Sequence, residues 1–452
     1  MVRIASQNIL RMLRRFKQED VTLHGFELRQ DGQIRAEGYY APFDKGQPHR
    51  MYSVSKTMTG LAIGLLAQDE KLSLDDQIVR YFPDKLHGEP DARLQRLTIR
   101  DMLRMATCFN RRSYREGVDQ DWSDSFFTTV PTHEPGTVFF YDTSCSQVLA
   151  ALVQRLSGST VLDFLQQRVF TPIGACDEKR WLQDPAGVNQ GGTGLIMSLR
   201  DLGKTAQLMM DGGRGILPEA YLRQATRCQM DTPFQQNPEE RFGYGWQLWM
   251  TRHGWAMYGM GGQMAIACPE EKILLCTVGD TRLDPYGVQK LYDGFFEEIM
   301  EHLDEPEEAG AQQALEDYLA SMTFPALPNA AGCTWYPMGE CRVEDSRLKG
   351  VTVKENAVHL QWANGAHVFC WDALGLVKVG TWQDTQVPCL TSAGFLRNNT
   401  LRVRCHLIGD APCGVELLLA QSATGLTLRL RRSGDPLTEG YEGLWWGQSV
   451  KE

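Results

Sequence analysis

Apolar residues at Met58, Leu61, Ala62, Leu65 and Leu66 recur at helical spacing and form one stripe for burial. Upstream the pattern alternates instead. Leu23 to Leu28 and Ile34 to Tyr40 read as strands, and Asp31-Gly32 between them predicts a hairpin turn. Val138 to Phe140 is strand-like and runs into a second helical pattern carried by Val148, Leu149, Leu152, Val153 and Leu156. Ser198 and Asp201 have capping-box spacing, which predicts a helix start. Met264 to Ala267 reads as a strand. Leu291, Phe295, Phe296 and Ile299 predict a helix over Val288 to Leu303, and Ala309 to Met322 gives another.

The texture changes near residue 324. Phe324-Pro325-Ala326-Leu327-Pro328-Asn329 reads as a linker. From Gly332 onward, Leu401, Val403, Cys405 and Leu407 alternate with Arg402, Arg404 and His406, and Leu426, Leu428 and Leu430 alternate with Thr427, Arg429 and Arg431. That is the signature of half-buried antiparallel sheet. The pattern divides the chain into residues 1–324, a linker at 325–331 and an all-β domain, barrel or sandwich, at 332–452.

Chemistry enters at Met51-Tyr52-Ser53-Val54-Ser55-Lys56. A serine hydroxyl is a weak nucleophile without a base in hydrogen-bond reach, and a lysine one helical turn away supplies one. Ser53 falls in the first turn of the predicted helix, at the positive end of its dipole, with Lys56 stacked at i+3. The spacing alone is common. A serine that merely caps a helix and a solvated lysine produce it too.

The order of the segments decides between these. The stretch "YSVSKTMTGLAIGLLAQDEKLSLDDQIVRYFP" is followed by Asp101 to Thr107, by Glu134-Pro135-Gly136-Thr137-Val138-Phe139-Phe140-Tyr141, by Gly192 to Leu202, by Gly243-Tyr244-Gly245-Trp246 and by Gly259-Met260-Gly261-Gly262-Gln263. This series resembles serine hydrolases of the class C β-lactamase and penicillin-binding-protein type. The resemblance implies an α/β fold of the β-lactamase/transpeptidase type. Its antiparallel sheet, flanked by helices, comes from both ends of residues 1 to about 305. A mainly helical insertion spans about 57–235, with the active site between.

The resemblance makes Ser53 the nucleophile and Lys56 and Tyr141 its acid–base partners. Beside Lys56 a phenolate is expected to be favoured, so that Tyr141 takes the Ser53 proton and passes it on. The family's second motif, Y-x-N, stands here as Tyr141-Asp142-Thr143, without the amide donor of asparagine. Thr143 can still accept a bond from Lys56. The third motif, K-T-G or H-x-G, stands as Met260-Gly261-Gly262, without a cation. The glycines let backbone approach a substrate closely, and the amides of Gln263 and Ser53 would form an oxyanion site. Both departures argue against penicillins and peptidoglycan stem peptides and for a neutral ester or amide. Arg111 or Arg112 could replace the lost charge. The same departures leave open a silent scaffold that keeps the fold, and acyl transfer differs from hydrolysis only in the acceptor.

Composition removes other classes. The net charge of −10 disfavours nucleic acid and anionic membrane as partners. The nine histidines show no metal-binding spacing, so no metal or other cofactor is expected. Trp246, Trp249 and Trp255 fit a cleft lining or a core equally. Met1 to Lys17 is basic and amphipathic, with Ile4, Ile9, Leu10 and Leu13 in a stripe, and lacks the apolar core of a signal peptide. With twelve scattered cysteines and no C-x-x-C, the expectation is a cytoplasmic protein with reduced thiols, acting on a small molecule, with room for a homo-oligomer.

Overall fold

The computed structural model describes residues 3–333, 338–383, 385–434 and 436–450. Met1 and Val2 of the amphipathic N-terminal stretch lie outside them. Two compact units result. The first holds the chain up to Tyr39, Phe43–Gly279 and Tyr286–Met322. The second holds Tyr40–Pro42, Asp280–Pro285 and the chain from Thr323.

In the first unit, strand β1 (Leu23–Gln30) turns into β2 (Gln33–Tyr39) through Asp31 and Gly32 at φ 49° and 77°. Those paired positive values are what a two-residue hairpin of native twist requires, and glycine meets them without strain. Short strands β3 (His49–Arg50), β4 (Arg180–Trp181) and β5 (Leu195–Met197) pair with one another. Strands β6 (Trp249–Thr251), β7 (Gly254–Gly259), β8 (Gln263–Cys268) and β9 (Ile273–Gly279) close the main sheet in the order β2-β1-β9-β8-β7-β6. β8 and β9 are buried along their whole length, so they carry Ala, Ile, Leu and Val without polar alternation.

Helices α1 (Ser6–Gln18), α2 (Val54–Gln68), α3 (Ala92–Arg96), α4 (Ile99–Leu103), α5 (Asp124–Thr128), α6 (Thr143–Ser157), α7 (Val161–Leu165), α8 (Leu199–Met210), α9 (Glu219–Ala225), α10 (Gly287–Glu298) and α11 (Ala311–Ala320) complete the unit. The amphipathic stretch is α1, whose apolar face packs against α10 and α11. α8 starts at Ser198, whose hydroxyl accepts the Asp201 N–H, and lies across β1, β8 and β9. Among the described residues no single helix is long and apolar enough to cross a membrane.

α2 departs from expectation. Its stripe is not one face: every residue from Val54 to Leu66 is buried. Burying side chains such as Met58, Leu61, Ile63 and Leu65 contributes about 1.5–3 kcal/mol each. The polar residues between them are bonded rather than wet. The Thr57 hydroxyl donates to the Gln247 carbonyl at 2.6 Å, the Thr59 hydroxyl to the Gly191 carbonyl at 2.9 Å, and the Ser55 hydroxyl accepts the Leu195 N–H at 3.0 Å. Val138 to Phe140 is no strand. The Phe140 N–H donates to the Met105 carbonyl and holds the stretch as a loop.

The second unit is one ten-stranded antiparallel sheet curled about its own core, with Gly365–Cys370 and Val377–Thr381 as its end strands. It is all-β and barrel-like. Residues 325–331 do not run free. Leu327 is buried, its N–H donates to the Ser392 hydroxyl, and Ala330 bonds to Phe395. Arg404 and His406 are buried too, against Glu416 and Phe324, so β alternation there is not inside-out.

Candidate active site

The chain enters α2 through Tyr52, whose φ of 44° is uncommon for an aromatic residue. That turn places Ser53 at the helix start, partly exposed, where its N–H donates to no backbone carbonyl among the described residues. Lys56, one turn on, is 1% exposed, and its Nζ lies 3.0 Å from Ser53 Oγ and 2.9 Å from the Gly192 carbonyl. Burial lowers the Lys56 pKa to about 7, and the nearby Asp142 carboxylate pulls it partly back up.

Tyr141 lies just before α6. Its ring stacks on Trp249 with centroids 5.5 Å apart, meets Tyr244 edge-on, and has Lys56 Nζ over its face at 4.8 Å. Ser53 is a hydrogen-bond partner of its phenol. The expected phenolate is not what this environment favours. Burial drives the Tyr141 pKa well up, and the Ser53 contact only partly opposes it. Lys56 is the group brought close to neutrality.

Thr143 is the first residue of α6. Its Cγ2 methyl packs toward Gly192, where an added Cβ would come within 2.5 Å of it and 3.2 Å of Lys56 Nζ. Among the described residues Thr143 does not take the bond from Lys56 that it could accept; the amine donates to the Gly192 carbonyl.

The segment Met260 to Gln263 forms the turn from β7 into β8. Gly261 and Gly262 both have φ of 91°, which requires glycine. Met260 is 43% exposed. Gln263 is buried. Its side-chain amide donates to the Gly279 and Met260 carbonyls and accepts the Gly279 N–H, so only its backbone remains for a ligand. This turn reaches the candidate nucleophile through Gly259. A Cβ there would stand 2.0 Å from the Met51 carbonyl oxygen.

A family model described as beta-lactamase matches residues 26–280, more than half of the chain. The chain belongs to the beta-lactamase family. It is 24% identical over 211 residues to a 6-aminohexanoate-dimer hydrolase of Paenarthrobacter ureafaciens, covering 43% of this chain and 54% of that protein. The chain thus spans about half the length of that curated relative. Among solved structures it resembles the octameric penicillin-binding protein homologue of Pyrococcus abyssi, with a TM-score of 0.52 and 15% identity over 98% of this chain and 99% of that one. It also resembles the D-amino acid amidase of Ochrobactrum anthropi SV3, with a TM-score of 0.50 and 16% identity over 64% and 98%. At these identities the structural matches establish the β-lactamase-like fold.

Trp249, read from the sequence as fitting a cleft lining or a core equally, backs Tyr141. Three further neighbours of the site lay outside the sequence-based set. Gly192 supplies the carbonyl for Lys56, and Gly259 brings the third motif alongside Met51. Gln247 ties α6 to α4 through bonds to Ser146 and to the Met102 and Leu103 carbonyls. Gly192 and Gly259 stood in the quoted segments, but nothing in those segments marks which glycine touches another strand. Trp246, Trp249 and Trp255 are all core residues.

Proposed function

We propose that this protein is a serine hydrolase that forms an acyl-enzyme at Ser53 on a small neutral ester or amide. The observation that carries the proposal is the Lys56 amine, buried, near neutral and 3.0 Å from Ser53 Oγ. At neutral pH a large fraction of Lys56 is unprotonated. The Ser53 hydroxyl then donates to Nζ while an amine N–H donates to the Gly192 carbonyl, which aims the nitrogen lone pair at the proton to be removed. As Ser53 Oγ bonds to the substrate carbonyl carbon, its proton passes to Lys56. The neutral Tyr141 phenol, bonded to the same oxygen, hands a proton toward the leaving group and is reprotonated from Lys56. Water repeats the sequence in deacylation. The Ser53 amide, and the Gln263 amide beside the paired glycines, would receive the developing oxyanion.

Neutral substrates fit the departures at Met260 and Thr143. Arg112 is a poor substitute cation, since it pairs with Glu116 and lies over Tyr114. Intact mass spectrometry after a fluorophosphonate tests the proposal: a single adduct on Ser53 supports it, and an unlabelled protein with normal folding overturns it in favour of a silent scaffold. We further propose self-association, supported by the octameric relative that matches along nearly the whole chain. A monomer by light scattering across the micromolar range would reject that.

A further inference from the structure

Within the second unit the sheet does not close on itself. Its two end strands, Gly365–Cys370 and Val377–Thr381, are not hydrogen-bonded to one another among the described residues. A cavity of about 210 Å³ sits at that seam, lined from both end strands and from the neighbouring strands Pro388–Phe395 and Thr400–Leu407. Register sets the wall. Gly380 lies opposite Cys389 and Thr391 opposite Cys405, so these four share one face. His367 and Phe369 reach the cavity from the other end strand.

Two features of this wall lack a structural reason. Gly380 stands in mid-strand outside the left-handed region, and an added Cβ there would meet only Cys389 Sγ, at 4.0 Å. A glycine weakens a strand, and one common use is to leave room for something that approaches closely. His367 is the second. It is 6% exposed, and burial lowers its pKa to about 4, so the imidazole is neutral. Its Nδ1 lies 2.8 Å from the Tyr441 hydroxyl, to which the Gln383 amide donates, so the phenol donates to Nδ1 and the ring proton sits on Nε2. That N–H has no partner among the described residues, and a buried donor left unmet is costly. Phe369 and Trp382 flank the imidazole, with centroids 4.3 and 4.4 Å from its own.

We propose that the seam cavity binds a small uncharged aromatic molecule bearing a carbonyl, its ring against Phe369, Trp382 and the open face of Gly380 and its oxygen accepting the His367 Nε2–H. Size agrees. A cavity of about 150 Å³ takes up benzene, so this one holds a benzene ring with a short substituent. Charge agrees too. Lys378, the cation in the lining, already pairs with Asp372 at 2.9 Å, so the wall does not call for an anion. The site lies wholly within the second unit and does not rest on the chemistry at Ser53.

Acetophenone and toluene, the same ring with and without an acceptor, test this on the full chain. Histidine is labelled with 15N, and His367→Phe identifies the Nε2 signal. Acetophenone should move that signal saturably, and toluene should bind roughly tenfold more weakly, the loss of one buried hydrogen bond. By calorimetry, His367→Phe should weaken acetophenone by a similar factor and leave toluene unchanged. Gly380→Ile should fill the cavity, abolish binding of both and hold or raise Tm, since isoleucine suits a strand better than glycine. Equal affinity for the two probes, acetophenone binding that neither variant alters, or a His367 signal that millimolar acetophenone leaves in place overturns the proposal. The comparison of the two probes uses the unaltered chain and stands whether or not the variants fold.

Discussion

Lys56 Nζ stands over the face of the Tyr141 ring, 4.8 Å from its centroid, and no hydrogen bond joins the two among the described residues. Both instead address Ser53, one as an amine poised near neutrality, the other as a phenol held protonated. The division of labour between them gives the first expectations.

Ser53 acylation should rise with pH through about 7, as Lys56 loses its proton, and level off above it. Lys56→Ala and Tyr141→Phe should each slow acylation by roughly two to four orders of magnitude. The double variant should cost little more than the worse single one, because the two act on one proton. Stopped-flow acylation with a nitrophenyl ester measures all three, and multiplying losses would show independent action.

Stability carries the same signature with a definite sign. The Lys56 pKa falls from 10.5 unfolded to about 7 folded, so the unfolded chain binds more protons between those values. Stability therefore rises with pH across that window and is flat below it. Replacing Lys56 by methionine removes this dependence. The Tm difference, variant minus wild type, should shrink as pH goes from 7 to 10. A constant difference by scanning fluorimetry would contradict the neutral amine.

Gly192→Ala should cost about 1–3 kcal/mol and at least tenfold in acylation, since its Cβ meets Thr143 Cγ2 at 2.5 Å and crowds Lys56 Nζ. Thr143→Ser deletes that methyl and should restore part of both losses. Urea melts and ester turnover of the two singles and the double decide it.

How much of this was legible varies with distance along the chain. The hairpin at Asp31-Gly32 and the start of α8 at Ser198 are local, and their own residues specify them. Ser53 and Lys56 are one helical turn apart, so spacing sufficed. The carbonyl opposite Lys56 belongs to a residue 136 positions away, and no local pattern announces it. Val138 to Phe140 looked like a strand because three apolar residues adjoin, yet a single bond to Met105 keeps them in a loop. The Tyr141 phenolate was misjudged because the pull of a nearby amine was counted and burial was not.

Substrate charge gives a last expectation. In a matched pair of esters, the neutral member should have the higher kcat/KM. Met260→Lys should improve the anionic member by roughly ten- to a hundredfold, the worth of one charge-assisted bond. Anionic preference in the unaltered enzyme would place a cation elsewhere in the cleft.

The all-round burial of α2 has a consequence for how this protein fails. Its central amides, from Gly60 to Ile63, have no exposed face, so they should reach solvent only when the first unit opens. They should be among the last to exchange with deuterium, while the segment around Phe234, a side chain 96% exposed, exchanges early. As denaturant rises, labelling of Ser53 and the structure of the first unit should vanish along a single curve.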